Sequence, residues 1–395
     1  MRVLNSLSEI NILRILRLIW LEKKISRVDI ATRLGMDKST VTKIAADLCA
    51  LGIIREAESG ESGPQGGRKP VFLELNNEFA VVGGIEINPR KFFCSVVNLS
   101  GENIFEYSED IAPEEYKKLG LMGYFKKAFD IIKKHSQSLK LSLLGIGVGL
   151  PALIDVEQGK IIQSIPLMIY EPVDFIKLAR EFTKLPVFFD NDARCCCYTE
   201  KMLWKNPNIE KSMMYILVQH RPQQPVENSP KNISVGFGFV LNGKIYHGAN
   251  STAGEFRSML WEPSSKNQFV ASAISVENLA DASVTPIFRE LAQNVAFLVN
   301  TLNLDVVYVG GIEEQYTEEL VKYIREKIVY LWPYEWKKPS TVTSATLSER
   351  VVSSGAGILV LDNIFSIPQL GDSNGGTSKF YNDYTSYQWL SLFQH

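Results

Sequence analysis

Histidine and cysteine are scarce in this sequence: four of the one and five of the other in 395 residues. Three cysteines are consecutive (Cys195, Cys196, Cys197), so their side chains project in different directions. With Cys49 and Cys94 they outline no disulfide framework. No histidine lies at metal-ligand spacing, which argues against a zinc site, and none is expected. Long apolar runs are missing as well. Ile10–Leu21, the nearest approach to a signal or membrane segment, is interrupted by Arg14 and Arg17 at helical intervals and reads as an amphipathic helix. No segment reaches the roughly 20 apolar residues that span a bilayer, so no membrane partner is expected and the cytoplasm is the expected location. Charge of one sign is absent too. A net charge of −2 excludes a wholly basic nucleic-acid coat, although residues 1–75 carry 12 Lys+Arg against 9 Asp+Glu and the remainder 30 against 35.

What is present begins with an ordinary globular composition, 45% hydrophobic, and a length that predicts two or three domains. Residues 8–23 form an amphipathic helix. The stretch Ser26–Ile54 then reads as two short helices around a tight turn. The first, Ser26–Leu34, places Val28, Ile30, Ala31 and Leu34 on one face, and Gly35 supplies the positive φ of a sharp helix end. Asp37 or Ser39 can cap the second, whose Val41, Ile44, Ala45 and Leu48 recur at three- and four-residue steps. Lys38, Ser39, Thr40, Thr42 and Lys43 are left outside, where hydroxyls and ammonium groups suit a helix in the DNA major groove. Taken alone, the stretch is equally an ordinary helical hairpin. Two strand candidates, Ile53–Glu56 and Val71–Leu75, follow around the Gly- and Ser-rich loop Ala57–Pro70, which describes a wing. Within it, Gly66-Gly67-Arg68-Lys69-Pro70 could bring Arg68 and Lys69 to a narrow minor groove; a plain linker is the competing reading.

From Asn76 the texture changes to alternating strands and helices. Strands are expected at Phe79–Ile87, Phe92–Leu99, Leu143–Val148, Val187–Phe189, Met214–Val218, Ser234–Leu241 and Val306–Val309. Helices are expected at Leu119–Ser138, from Asp192 to Leu203, at Pro286–Leu304, at Thr317–Tyr330 and from Ser353 onward. Two hairpin-plus-βα halves imply a duplicated α/β fold with a cleft between them.

In order and spacing, the winged helix-turn-helix ending in Gly66–Pro70, Gly145-Ile146-Gly147-Val148-Gly149-Leu150-Pro151, Asn191-Asp192-Ala193, Gly248-Ala249-Asn250 with Ala253-Gly254-Glu255, and Val309-Gly310-Gly311-Ile312 carry a resemblance. Over residues 8–365 the chain resembles the ROK family (repressors, open reading frames, kinases) in its transcriptional-repressor branch. The resemblance implies a DNA-binding domain (1–75) and a duplicated actin-like, sugar-kinase or ribonuclease H-like α/β domain with a central cleft (76–365). A tail of unknown role (366–395) follows, and the family commonly assembles as homodimers or homotetramers. Kinases of the family open with Asp-x-Gly-x-Thr; here the matching turn is Glu86-Ile87-Asn88-Pro89-Arg90, where proline removes an amide donor. In the second phosphate loop only Gly236 and Gly238 remain, behind a polar insertion at Gln219–Asn232. Loss of both cradles argues against phosphoryl transfer, so no nucleotide cofactor is expected.

The resemblance places Pro151, Ala152, Asn191, Asp192 and Glu255 at the sugar pocket. Asp192 matches the kinase base but is assigned to binding. Glu255-Phe256-Arg257-Ser258 lacks the histidine that the family links to zinc, and Trp261–Phe269 lacks the cysteines that follow it. Arg257 is a candidate contact for an acidic or phosphorylated sugar, or else a surface arginine holding a carboxylate. The expected function is a sugar-responsive repressor whose partners are operator DNA and a sugar effector. The alternatives are an active ATP-dependent sugar kinase with a DNA-binding head and a vestigial cleft that binds another protein. Cys195–Cys197 are expected simply to pack. The aromatic tail, with Tyr381, Tyr384, Tyr387, Trp389 and Phe393, is expected to fold onto the body or an oligomer partner.

Overall fold

The computed structural model describes residues 7–57, 71–203, 211–221, 232–265, 267–270, 284–336, 340–347 and 351–366. At its front, α1 (Leu7–Glu22) lays Ile15, Leu16 and Ile19 over the helix-turn-helix. After the two-residue β1 (Ile25–Ser26) come α2 (Arg27–Leu34) and α3 (Lys38–Ala50). Ser26 caps α2 by accepting from the Asp29 amide, and its hydroxyl donates to the Asp29 carboxylate in return. Gly35, at φ +61°, ends α2 in the left-handed region. Ile30, Ala31, Val41, Ile44, Ala45 and Leu48 are buried as the periodicity requires. Val28 is not: it is 54% exposed, because it shares a face with exposed Thr32, one turn on, rather than with Ile30. Asp37 occupies the N-cap position of α3 without making a side-chain cap bond. β2 (Ile54–Ala57) and β3 (Phe72–Leu75) pair antiparallel, and β3 also pairs with β1. The loop between β2 and β3, including Arg68 and Lys69, lies outside the described residues.

Behind the head are β4 (Ala80–Asn88), β5 (Lys91–Asn98), β6 (Asn103–Asp110), α4 (Pro113–Ser138) and β7 (Ser142–Leu150). A small antiparallel sheet of β8 (Leu153–Asp155), β9 (Lys160–Gln163) and β10 (Val173–Asp174) follows, then α5 (Phe175–Ala179), β11 (Val187–Asn191) and α6 (Asp192–Met202). The second half holds β12 (Met213–Arg221), β13 (Asn232–Leu241), β14 (Lys244–Ile245), α7 (Thr285–Leu302), β15 (Val306–Gly310), α8 (Glu314–Tyr330), β16 (Thr341–Ser344) and α9 (Val351–Ile364).

The sheet orders, β11-β7-β4-β5-β6 and β14-β13-β12-β15-β16, have the same topology when one is read in reverse. In each, an antiparallel hairpin (β4/β5, β12/β13) is extended by parallel strands on the side of its first strand. This is the duplicated actin-like sugar-kinase fold, with α6 and α9 as counterpart helices in the two halves. Their backbones touch: a Cβ at Gly355 of α9 would overlap the Cys195 carbonyl oxygen of α6. Cys195–Cys197 are fully buried, and burial pushes their thiols well up, so they pack as inert small side chains.

Candidate functional site

Between the halves lies a cavity of about 360 Å³, within the range of small-molecule sites. Pro151, Ala152, Asn191, Asp192 and Glu255 all line it, joined by Gln163, Ser164, Gln219, Ser234 and Gln268. Asn191 ends β11 and opens α6. Its side-chain oxygen accepts from the Ala193 and Arg194 amides, and its Nδ2 donates to the Ala152 carbonyl at 3.3 Å. The first bonds start the helix; the second ties it to the neighbouring wall. Ser164 fixes the same wall by donating to the Pro151 carbonyl at 2.7 Å. Asp192 is buried at the first turn of α6, where the helix N-terminus favours its negative charge. Glu255 stands open to the cleft, yet desolvation by the cleft walls raises its carboxyl pKa, with Arg194 offsetting part of that rise. Amides, hydroxyls and two carboxylates with no lysine, arginine or histidine in the lining suit a neutral polyhydroxylated ligand.

Arg194, missed in the sequence, holds the site together. It is only 1% exposed, donates from Nε to Asp190 at 2.6 Å, and donates from Nη1 to the carbonyls of Ser251 and Ala253. Those carbonyls belong to the second-half loop that carries Glu255. The other Asp190 oxygen meets His247 Nε2 at 2.9 Å. Burial pushes the Asp190 carboxyl up, but Arg194 and His247 outweigh it and hold it well below the usual carboxylate range. Asp190, Arg194 and His247 therefore clasp the strand bearing Asn191 and Asp192 to the loop bearing Glu255.

Arg257 is not in the cavity lining. Its guanidinium lies 4.1 Å from the Trp261 ring centroid, a cation–π contact on an exposed part of the loop, so the expected contact with an acidic sugar is not formed there. On the head, Lys38, Ser39, Thr42 and Lys43 are exposed at the start of α3, whereas Thr40 is half-buried. The Thr42 hydroxyl donates to the Lys38 carbonyl at 2.7 Å, leaving its lone pairs as acceptors.

The ROK family model matches residues 82–267, and a winged helix-turn-helix DNA-binding model matches residues 9–55. The chain carries a ROK family domain behind a winged helix-turn-helix. A xylose repressor of Caldicellulosiruptor bescii is 24% identical over 92% of this chain and 98% of its own length. The DNA-binding transcriptional dual regulator NagC of Escherichia coli is 25% identical over 65% of this chain and 58% of its own length. Among solved structures, a ROK family transcriptional regulator homologous to the E. coli MLC protein superposes with a TM-score of 0.68 at 20% identity, covering 89% of this chain and 95% of the other. A ROK family glucokinase from Streptomyces griseus, in complex with glucose and AMPPNP, gives 0.54 at 17% identity, covering 71% and 99%.

In this ROK domain the two hairpins that resemble phosphate loops are closed by their own residues. At the tip of β4/β5, Asn88 Oδ1 accepts from the amides of Arg90 and Lys91 at 3.2 and 2.9 Å, and Pro89 has no amide to give. In the other hairpin, pairing continues to Arg221 opposite Asn232. The polar insertion therefore begins as strand, not as loop, and Gly236 and Gly238 are ladder positions opposite Leu217 and Tyr215. Nor do the residues after Glu255 fit zinc: Ser258 stands where the family places histidine, and its hydroxyl accepts from Asn294 Nδ2 and the Leu260 amide. Gln268 pairs with both backbone groups of Val235 at 2.8 Å, closing the loop by hydrogen bonds. Among the described residues no helix is long and apolar enough to cross a membrane.

Proposed function

We propose that the chain is a sugar-responsive DNA-binding transcriptional regulator, a repressor, whose kinase-like body binds a neutral carbohydrate without phosphorylating it. The observation that carries this reading is the β4/β5 tip, where Asn88 takes the backbone amides that a phosphate would need. Phosphoryl transfer depends on such pre-aimed donors, whereas sugar binding needs only the carboxylates and amides of the cavity. Asp192 and Glu255 accept from ligand hydroxyls, and each hydroxyl missing from a competing ligand leaves a desolvated acceptor unpaired, which supplies selectivity. Relatives named for xylose and for N-acetylglucosamine support a neutral sugar as the ligand class.

DNA is read by Lys38, Ser39, Thr40, Thr42 and Lys43 in the major groove, with Arg68 and Lys69 of the wing in the minor groove. A homodimer or homotetramer would present two heads to half-sites roughly 34 Å apart, or a multiple of that. The test has two arms. Thermal-shift titration with D-xylose, D-glucose and N-acetyl-D-glucosamine is expected to find a stabilising sugar, and incubation of the same sugars with ATP and Mg²⁺ is expected to give no sugar phosphate. Turnover abolished by Asp192→Ala would instead establish the kinase.

A further inference from the structure

A route from the cavity to the head is laid out in α6, α9 and α1. Asp192 in the cavity and Lys201 at the junction with the head belong to the one helix α6, about 14 Å apart along its axis at 1.5 Å per residue. That helix has no side-chain layer to yield against α9, since Gly355 packs directly on the Cys195 carbonyl and the Thr199 hydroxyl donates to the Val351 carbonyl at 3.1 Å. At the far end, Asp362 of α9 faces two cations: Lys201 Nζ at 4.0 Å and Arg17 of α1 at 3.6 Å. Burial raises the Asp362 carboxyl, but Lys201 and Arg17 prevail and keep it ionised. Arg17 also donates to the Phe365 carbonyl at 3.2 Å, and Trp20 of α1 lies 5.4 Å from the Phe365 ring. Trp20, Tyr198, Lys201, Met202, Ile358 and Asp362 surround a small crevice here, and the buried Trp20 indole N–H has no acceptor. A buried donor left unsatisfied marks an arrangement that another packing could improve, as a two-state junction requires.

We propose that Asp362 is the relay between effector and operator: one carboxylate shared by the effector helix, through Lys201, and the DNA-binding head, through Arg17. A ligand that draws on Asp192 shifts α6, changes how Lys201 competes for Asp362, and so changes the hold of Asp362 on α1. The Trp20–Phe365 contact then repacks, and the head changes its seat on the body. This rests on the sugar-responsive reading above.

The experiment uses the full chain and DNA duplexes selected by the wild type from a random pool in sugar-free buffer. Affinity for the duplex is measured with and without D-xylose, D-glucose and N-acetyl-D-glucosamine, and hydrogen–deuterium exchange is followed in residues 10–22 of α1. For the wild type, one of these sugars is expected to change duplex affinity about fivefold or more and to alter exchange in α1. Asp362→Asn and Lys201→Gln are expected to keep sugar affinity and sugar-free duplex affinity, while the sugar-induced change in both readouts collapses. If Asp362→Asn fails to fold, Lys201→Gln alone decides, because it leaves the Arg17–Asp362 contact in place. Wild-type responses in the variants, with sugar binding intact, overturn the relay and leave the proposed function standing. No response in the wild type to any of the three sugars overturns both.

Discussion

Replacing Arg194 by methionine is the most informative single perturbation of the site. The change keeps much of the side-chain volume but removes the ion pair to Asp190 and the two bonds to the Ser251 and Ala253 carbonyls. Asp190 is then left as a buried carboxylate with His247 alone, and breaking a buried pair from one side costs about 3–5 kcal/mol. The two carbonyls add to this less than their separate values, because the loop can relax. Against a typical total stability of about 5–15 kcal/mol, a loss near 4 kcal/mol leaves a marginal body. Urea unfolding should report that loss, and sugar affinity should fall at least about tenfold as the Glu255 loop drifts from Asp192. Arg194→Lys should fall between, since a lysine restores the charge but cannot fork between a carboxylate and two carbonyls. Asp190→Asn combined with Arg194→Met should recover a large part of the stability, because the stranded charge goes with its partner. Stability of Arg194→Met within about 1 kcal/mol of wild type, or an unchanged sugar affinity, would refute the clasp.

Other consequences can be checked in parallel. Gly355→Ala places a methyl group on the Cys195 carbonyl, where backbone must yield, and should destabilise by about 3 kcal/mol or more in urea unfolding. Because Asp190 is held below its ordinary value, its stabilising contribution is present above about pH 4 and is lost as pH falls through its lower folded-state value; Asp190→Asn should remove that part of the acid sensitivity in pH-dependent unfolding. Arg68→Ala should weaken duplex binding and lower its salt dependence with little change in the preferred sequence, as read by anisotropy titrations at several salt concentrations.

The head was largely legible in the sequence because its helices obey one period and end at a glycine that needs positive φ. Val28 misled because an apolar residue in the first turn of a short helix can point past the core. The duplication was legible from buried strands, but β6 was not. Its residues Asn103–Asp110 are mostly half-exposed or exposed along an edge, so no apolar face announces them. β16 and the small sheet β8–β10 are two to four residues long, too short for a period to register. At the site, Asn191, Asp192 and Glu255 were marked by motif, and the fold gathers them around one cavity. Arg194 carried no signal: a single arginine in a helix reads as a solvated side chain until the fold brings Ser251 and Ala253 to it. Arg257 shows the reverse error, since nearness in sequence to Glu255 says nothing of which way a loop side chain turns.

The most direct test of a sugar sensor wired to an operator-binding head is one anisotropy titration series. Wild type and Asp192→Asn are each titrated against a duplex selected by the wild type, with and without the sugar that stabilises the wild type most. Expected is a sugar-dependent change of about fivefold or more in the Kd of the wild type and none for Asp192→Asn, with equal sugar-free affinities. An equal sugar response in both proteins, or a wild-type affinity that no sugar in the panel changes, would contradict it.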